Sequence, residues 1–141
     1  VGYSGSFDRD NDIDSLLSAA KASTNKKVVF VFVGNGVRVD YLVGEAQKLP
    51  NVLVCDRVPS GDVLNVLNAY DVCYCGLRPK AINQYGIGLA KTYEYMAAGK
   101  AIIWMIEGCN NPIENGAGGV TVPPGRVDVL VDKINMLSEK E

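Results

Sequence analysis

Val28-Val29-Phe30-Val31-Phe32-Val33 is an apolar run with no polar position in it. A strand with one wet face alternates, so this run fits a central strand covered on both faces, as in a parallel sheet flanked by helices. Read from Lys27 to Val33, it is one of six short candidate strands. The others are Val1 to Ser4, Val52 to Cys55, Asp71 to Cys75, Ala101 to Ile106 and Gly119 to Val122. Stretches of helical period separate them. Ile13, Leu16, Leu17 and Ala20 fall at i, i+3, i+4, i+7, with Asp10 or Asn11 as N-cap. Val63, Leu67 and Tyr70 form a shorter stripe. Leu89, Tyr93, Met96 and Ala97 form a core-facing one closed by Gly99, and Val127, Leu130, Val131, Ile134 and Leu137 form the last. This rhythm predicts an α/β fold: a Rossmann-like, doubly wound parallel sheet in three α/β/α layers. The expected strand order is 3-2-1-4-5-6.

The chain has 141 residues, the size of a single domain with one core. Apolar residues at 48% and charged residues at 21% exclude a disordered chain, and no run is long enough for a membrane span. A net charge of −2 without a basic block argues against nucleic-acid binding. Histidine is absent, which removes Ser-His-Asp and Cys-His nucleophiles, His-ligated zinc and imidazole acid-base chemistry. Cys55, Cys73, Cys75 and Cys109 contain no Cys-x-x-Cys pair and read as buried, reduced thiols of a cytoplasmic protein. No signal peptide is visible, and the opening Val-Gly-Tyr-Ser-Gly reads as a strand inside a longer polypeptide.

Ligands of such sheets bind beyond the carboxyl ends of the strands. The loops to inspect are 5–10, 34–37, 56–61, 76–88 and 107–115. Gly34-Asn35-Gly36, with Asp56 beyond it, suggests a dinucleotide fingerprint. Its third glycine position is Val39, however, and it follows the second strand, so a glycine-eased turn is the better reading than an NAD-dependent dehydrogenase. Gly86-Ile-Gly-Leu-Ala-Lys-Thr-Tyr-Glu-Tyr-Met-Ala-Ala-Gly-Lys100 says more. Gly86 and Gly88 leave room for a ligand, and a helix starting near Leu89 aims its free N–H groups at that spot, a phosphate-shaped arrangement. Lys91 and Glu94 share another face of that helix. They suit phosphates and a ribose diol respectively, or else form an exposed Lys–Glu pair.

These residues resemble a family. Tyr3-Ser-Gly-Ser-Phe7, Phe32-Val-Gly-Asn-Gly36, Asn51-Val-Leu-Val54 with Val58-Pro59, and above all Gly86 to Ile103 are similar to the C-terminal, donor-binding domain of GT-B-fold glycosyltransferases of the group 1 class, retaining enzymes related to glycogen synthase. The resemblance covers nearly the whole chain. It implies a nucleoside diphosphate sugar of the UDP or GDP type as substrate, with no separate cofactor and no metal. Residue by residue, it places Glu94 on the ribose, Arg57 and Val58 on the base, and Gly5, Ser6, Gly86, Ile87, Gly88, Leu89 and Lys91 around the diphosphate. Gly86 stands where the family has the first Glu of Glu-x7-Glu. Ser6 and Asn11 stand where many members carry Arg and Lys, and Ala101 replaces a usual proline. The implied activity is hexosyl transfer in polysaccharide or glycoconjugate assembly. The implied partner is an N-terminal acceptor-binding domain that this chain lacks, and the full-length enzyme would associate with the membrane surface. A non-catalytic nucleotide-binding or regulatory module is the alternative.

Overall fold

The computed structural model describes residues 1–113 and 118–139. Its strands are β1 (Gly2–Ser6), β2 (Phe30–Asn35), β3 (Val52–Cys55), β4 (Val72–Gly76), β5 (Ala101–Met105) and β6 (Gly119–Thr121). Its α-helices are α1 (Ile13–Ala22), α2 (Val39–Ala46), α3 (Val63–Asn68), α4 (Ala90–Ala97) and α5 (Val127–Ser138). All six strands are parallel, in the order β3-β2-β1-β4-β5-β6 that the sequence predicts. The apolar run of β2 serves both faces. Phe30 and Phe32 join the core under α1 and α5, while Val31 and Val33 belong to a second cluster with Leu67, Tyr95 and Trp104. The strand starts later than expected, leaving Val29 42% exposed before it.

The pairing is uneven. β1 and β2 match over five residues, and so do β4 and β5, but β1 meets β4 in the ladder only at Gly2↔Cys73. Beyond that point the halves are joined by two backbone bonds past the strand ends, from Asp12 N to Gly76 O and from Arg78 N to Asp10 O (both 3.0 Å), and by side chains. The Ser4 amide donates to the Tyr95 hydroxyl (3.1 Å), and the Ser4 and Tyr70 hydroxyls share a hydrogen bond of 2.9 Å. The Tyr70 ring fills the place where a Cβ on Gly2 would lie, 2.2 Å from its nearest atom.

Three local expectations are corrected. The N-cap of α1 is Asp12, not Asp10 or Asn11; its carboxylate accepts from the Ser15 amide (3.1 Å) and hydroxyl (2.6 Å). Helix α4 turns a different face inward. Thr92 and Tyr95 are its buried residues, while Tyr93 is 67% and Met96 46% exposed. Tyr95 can be buried because β1 supplies its hydroxyl with partners. Among the cysteines, Cys73 and Cys75 are buried as expected but Cys55 and Cys109 are exposed, and all four thiols are free. The end of α4 is as predicted: Gly99, at φ +66, lets its own N–H and that of Lys100 reach the Met96 and Tyr95 carbonyls, a Schellman closure.

Candidate functional site

The site forms where β1 and β2 end side by side. Gly5 pairs in register with Gly34, and Ser6 with Asn35. A Cβ on Gly34 would stand 1.8 Å from the Gly5 carbonyl oxygen, and one on Gly36 2.5 Å from that of Phe7. The two glycines thus let the chain after β1 lie against the β2 turn. Backbone bonds from Phe7 N to Asn35 O (2.9 Å) and from Arg38 N to Phe7 O (3.0 Å) fix that contact. Arg38 also makes a bidentate pair with Asp14 of α1, at 2.7 and 2.8 Å, and its guanidinium holds the Asp14 carboxyl below the usual carboxylate range.

Over these strand ends opens a cavity of about 870 Å³. Of the residues expected at the site, Gly5, Ser6, Arg57, Val58 and Glu94 all line it. Ser4, the Val33–Val37 turn, Ser60, Val63 and Val66 complete the wall. The turn at Gly34-Asn35-Gly36 is therefore part of the site as well as a packing device. The sequence held the signal for this, since parallel neighbours that start level also end level. Glu94 is exposed, and among the described residues its carboxylate has no hydrogen bond or ion pair; the Lys91–Glu94 surface pair does not form.

Lys91 does not line this cavity. Its ammonium runs beneath the first loop, donating to the Tyr3 hydroxyl (3.0 Å) and the Asn11 side-chain oxygen (2.8 Å), and lies 4.3 Å from the Tyr3 ring centroid. A Cβ on Gly5 would be 2.8 Å from the Lys91 Nζ, so the missing side chain of Gly5 is the slot that the ammonium occupies. Burial lowers the Lys91 pKa, partly offset by Cys75, Asp8 and Glu94. Gly86, Ile87, Gly88 and Leu89 lie outside the cavity wall too. Gly86, at φ +122, follows a 3-10 turn (Ala81–Tyr85) in a conformation that suits only glycine. The Asn110 side chain then holds Ile87 by both backbone groups, accepting from N and donating to O, each at 2.7 Å. Leu89 caps α4 without a side-chain bond, unlike Asp12 of α1. Loops 76–88 and 107–115 instead border a second cavity of about 600 Å³, with Lys80, Glu107 and Cys109 among its lining. The last two residues of that second loop, Glu114 and Asn115, lie outside the described residues.

Sequence reasoning missed Tyr3, Asp8 and Asn110, and did not see that Asn11 accepts from Lys91. Asp8 meets its partners only two and three residues on, but Ile87 lies 23 residues from Asn110, and Lys91 lies 80 from Asn11 and 88 from Tyr3. No local spacing marks contacts so distant. Among the described residues no group of His, Cys, Asp and Glu could hold a metal ion, and no helix is long and apolar enough to cross a membrane.

Comparison with known proteins places this geometry. No curated protein sequence matches the chain. HepE of Anabaena, crystallised with UDP and glucose, superposes with a TM-score of 0.75 at 18% identity, over 99% of this chain and 38% of that one. The catalytic domain of cholesterol-alpha-glucosyltransferase from Helicobacter pylori gives 0.68 at 17% identity, covering 99% and 86% respectively. The lipopolysaccharide outer core galactosyltransferase WaaB in its apo form gives 0.74 at 17%, covering 96% and 39%. At such identities the likeness is one of fold, and the chain spans little more than a third of HepE. The family model described as glycosyl transferases group 1 matches residues 1–140, nearly the whole chain, and this chain belongs to that family.

Proposed function

We propose that the chain is the donor-binding domain of a glycosyltransferase and holds a nucleoside diphosphate sugar, of the UDP or GDP type, in the cavity over β1 and β2. The observation that carries this reading is the convergence of Gly5, Ser6, Arg57, Val58 and the unpaired Glu94 carboxylate on one wall. In this reading Glu94 accepts hydrogen bonds from the two ribose hydroxyls, and the turn at Arg57 and Val58 takes the base. The diphosphate lies by Gly5 and Ser6, with the Lys91 ammonium beneath and the uncapped start of α4 near Leu89 adding positive dipole. UDP or UDP-glucose in the crystals of HepE is consistent with this chemistry.

The reaction needs a second domain. The share of HepE and WaaB that this chain spans supports its reading as the C-terminal half of a GT-B enzyme, with the acceptor bound by an N-terminal domain. Hexosyl transfer to a glycan or glycoconjugate, at the cytoplasmic surface of a membrane, is the activity we assign to the whole. The isolated chain binds the donor without transferring the sugar. Donor-specific transfer to any acceptor by residues 1–141 alone would overturn that division of labour. One feature favours the alternative, a nucleotide-binding module without transfer chemistry: Gly86, at φ +122, occupies the position of a family carboxylate.

Calorimetric titration of wild type and Glu94→Ala with UDP and 2′-deoxy-UDP tests the site, with GDP, ADP and NAD as controls. Glu94→Ala should weaken UDP binding by about 1.5–3 kcal/mol, roughly ten- to a hundredfold, because charge-assisted hydrogen bonds in a cleft contribute about that much. The deoxy nucleotide should bind wild type more weakly and lose most of that disadvantage against the mutant. Additive losses would remove Glu94 from the ribose.

A further inference from the structure

Tyr3 is fully buried, yet its hydroxyl sits within the first loop of the site. It donates to the Ser6 carbonyl at 2.7 Å and accepts from the Lys91 ammonium at 3.0 Å. The other acceptor of that ammonium is equally fixed. Asn11 donates from its amide nitrogen to both Asp8 carboxylate oxygens, at 3.0 and 3.1 Å, which turns its own oxygen towards Lys91. Asp8 is anchored in turn by the Asp10 and Asn11 amides, both at 2.9 Å. Burial works against the Asp8 charge, but these bonds outweigh it and hold the carboxyl below its usual range.

The electrostatics of this arrangement are unfavourable without a ligand. Lys91 lies in the first turn of α4, at the positive end of the helix dipole. Its ammonium is partly desolvated and, among the described residues, has no carboxylate within ion-pair distance. Two of its three N–H groups are used, and Gly5 covers it with backbone alone. A long, flexible lysine stays in such a place only if its acceptors are preset.

We propose that Tyr3 is a positioning residue of the diphosphate subsite: its hydroxyl, fixed on the Ser6 carbonyl, holds the Lys91 ammonium beneath Gly5, so that loop and cation form one preset anion-binding surface. The inference rests on the donor-binding reading above and extends it to a residue that never touches the ligand. It also accounts for Ser6 and Asn11 at positions where many members of the family carry cations. The charge is delivered from α4 instead, and Asn11 serves as its acceptor.

The test is a titration of wild type, Tyr3→Phe, Lys91→Met and the double variant with UDP and with uridine, which has no phosphates. Tyr3→Phe keeps the ring and removes only the hydroxyl. It should lower UDP affinity about three- to tenfold, the range of one well-placed hydrogen bond, and leave uridine affinity within about twofold. The double variant should bind UDP within about twofold of Lys91→Met alone, because Tyr3 acts through the lysine. Equal losses for UDP and uridine, or no loss for UDP, would overturn the proposal. A second readout needs no ligand: the Lys91 ammonium should give a slowly exchanging signal in a proton–nitrogen spectrum of wild type, absent in Tyr3→Phe. Its absence from wild type refutes the Tyr3–Lys91 contact. Wild type that binds neither uridine nor UDP, with the signal present, refutes the donor-binding reading and the phosphate role while leaving the contact standing.

Discussion

Single residues set the site, and its glycines are not equivalent. A Cβ on Gly34 would collide with backbone, the Gly5 carbonyl at 1.8 Å, which no side-chain rotation relieves. Gly34→Ala should therefore cost about 3 kcal/mol by forcing β1 and β2 apart, and should weaken nucleotide binding as well. Gly44, inside α2, has nothing within 4 Å of its would-be Cβ, so Gly44→Ala should stabilise by about 0.5–1 kcal/mol through helix propensity. Urea unfolding of the two variants beside wild type checks both signs. Equal effects would mean that the approach of Gly34 to Gly5 is not a real constraint. Gly5 and Glu94, which the family resemblance put at the site, were legible in sequence to the extent that both line the cavity, whereas Gly86 lies outside its wall. The partners of Lys91 were not legible, since Tyr3 and Asn11 meet it only through the order of the strands.

At the scale of elements, the helix period identified α4 but chose the wrong face. Apolarity alone ranks Leu89, Tyr93, Met96 and Ala97 as the core stripe. The choice between two tyrosines two positions apart depends on which hydroxyl finds a partner, and β1 supplies one for Tyr95, at the Ser4 amide. In the isolated chain Tyr95→Ala should cost about 3–5 kcal/mol and Tyr93→Ala less than about 1 kcal/mol. Comparable losses would restore the face that the sequence suggested. Tyr95→Phe should cost about 1 kcal/mol, the Ser4 N–H being left without its acceptor. Helix α1 was read correctly along its length and misplaced only at its cap. Asp10, Asn11 and Asp12 are all good caps by type, and which one serves depends on where the chain leaves β1. Asp12→Ala should cost about 1 kcal/mol.

For the whole molecule, strand order followed from the βα rhythm and the handedness of crossovers, so the architecture could be read without coordinates. The cavity could be read only in part: Gly5, Ser6, Arg57, Val58 and Glu94 were expected at the site, but Ser4 and the α3 residues Val63 and Val66 join its wall only through the packing of the folded sheet. Burial also gives the molecule a pH profile. It pushes the Cys73 thiol from 9.0 up to about 12 and the Tyr70 hydroxyl from 10.0 up to about 12, and raises Tyr3, Tyr74 and Tyr95 in the same direction. An acid whose pKa is higher in the folded state keeps its full contribution below the unfolded value and loses it as pH rises. Lys91 has the opposite sign: its lowered pKa makes the charged form costly, and deprotonation relieves that cost. Two lowered bases, Lys91 and the Val1 amine, against six raised acids, Cys75 included, leave a net fall in stability from about pH 9 to 12. Unfolding free energies measured between about pH 7 and 11 should show it, and Cys73→Ala should lose less over the first part of that range. A flat profile would mean that these side chains reach water.

The single ladder pair between β1 and β4 bears on how this protein responds to a ligand. Gly5, Ser6, Arg57 and Val58 belong to one three-strand half of the sheet, Lys91 and Glu94 to the other. On the donor-binding reading, a nucleotide held by the first set and by Glu94 works as a staple across the weakest joint in the sheet. Its binding energy then adds to the cooperativity between the halves, not only to their sum. At a ligand concentration a hundred times Kd the gain is about 2.7 kcal/mol. Hydrogen exchange should register it unevenly, slowing most at the Ser4 amide, which spans the joint. Amides in the middle of the β4–β5 ladder, far from that joint, should change least.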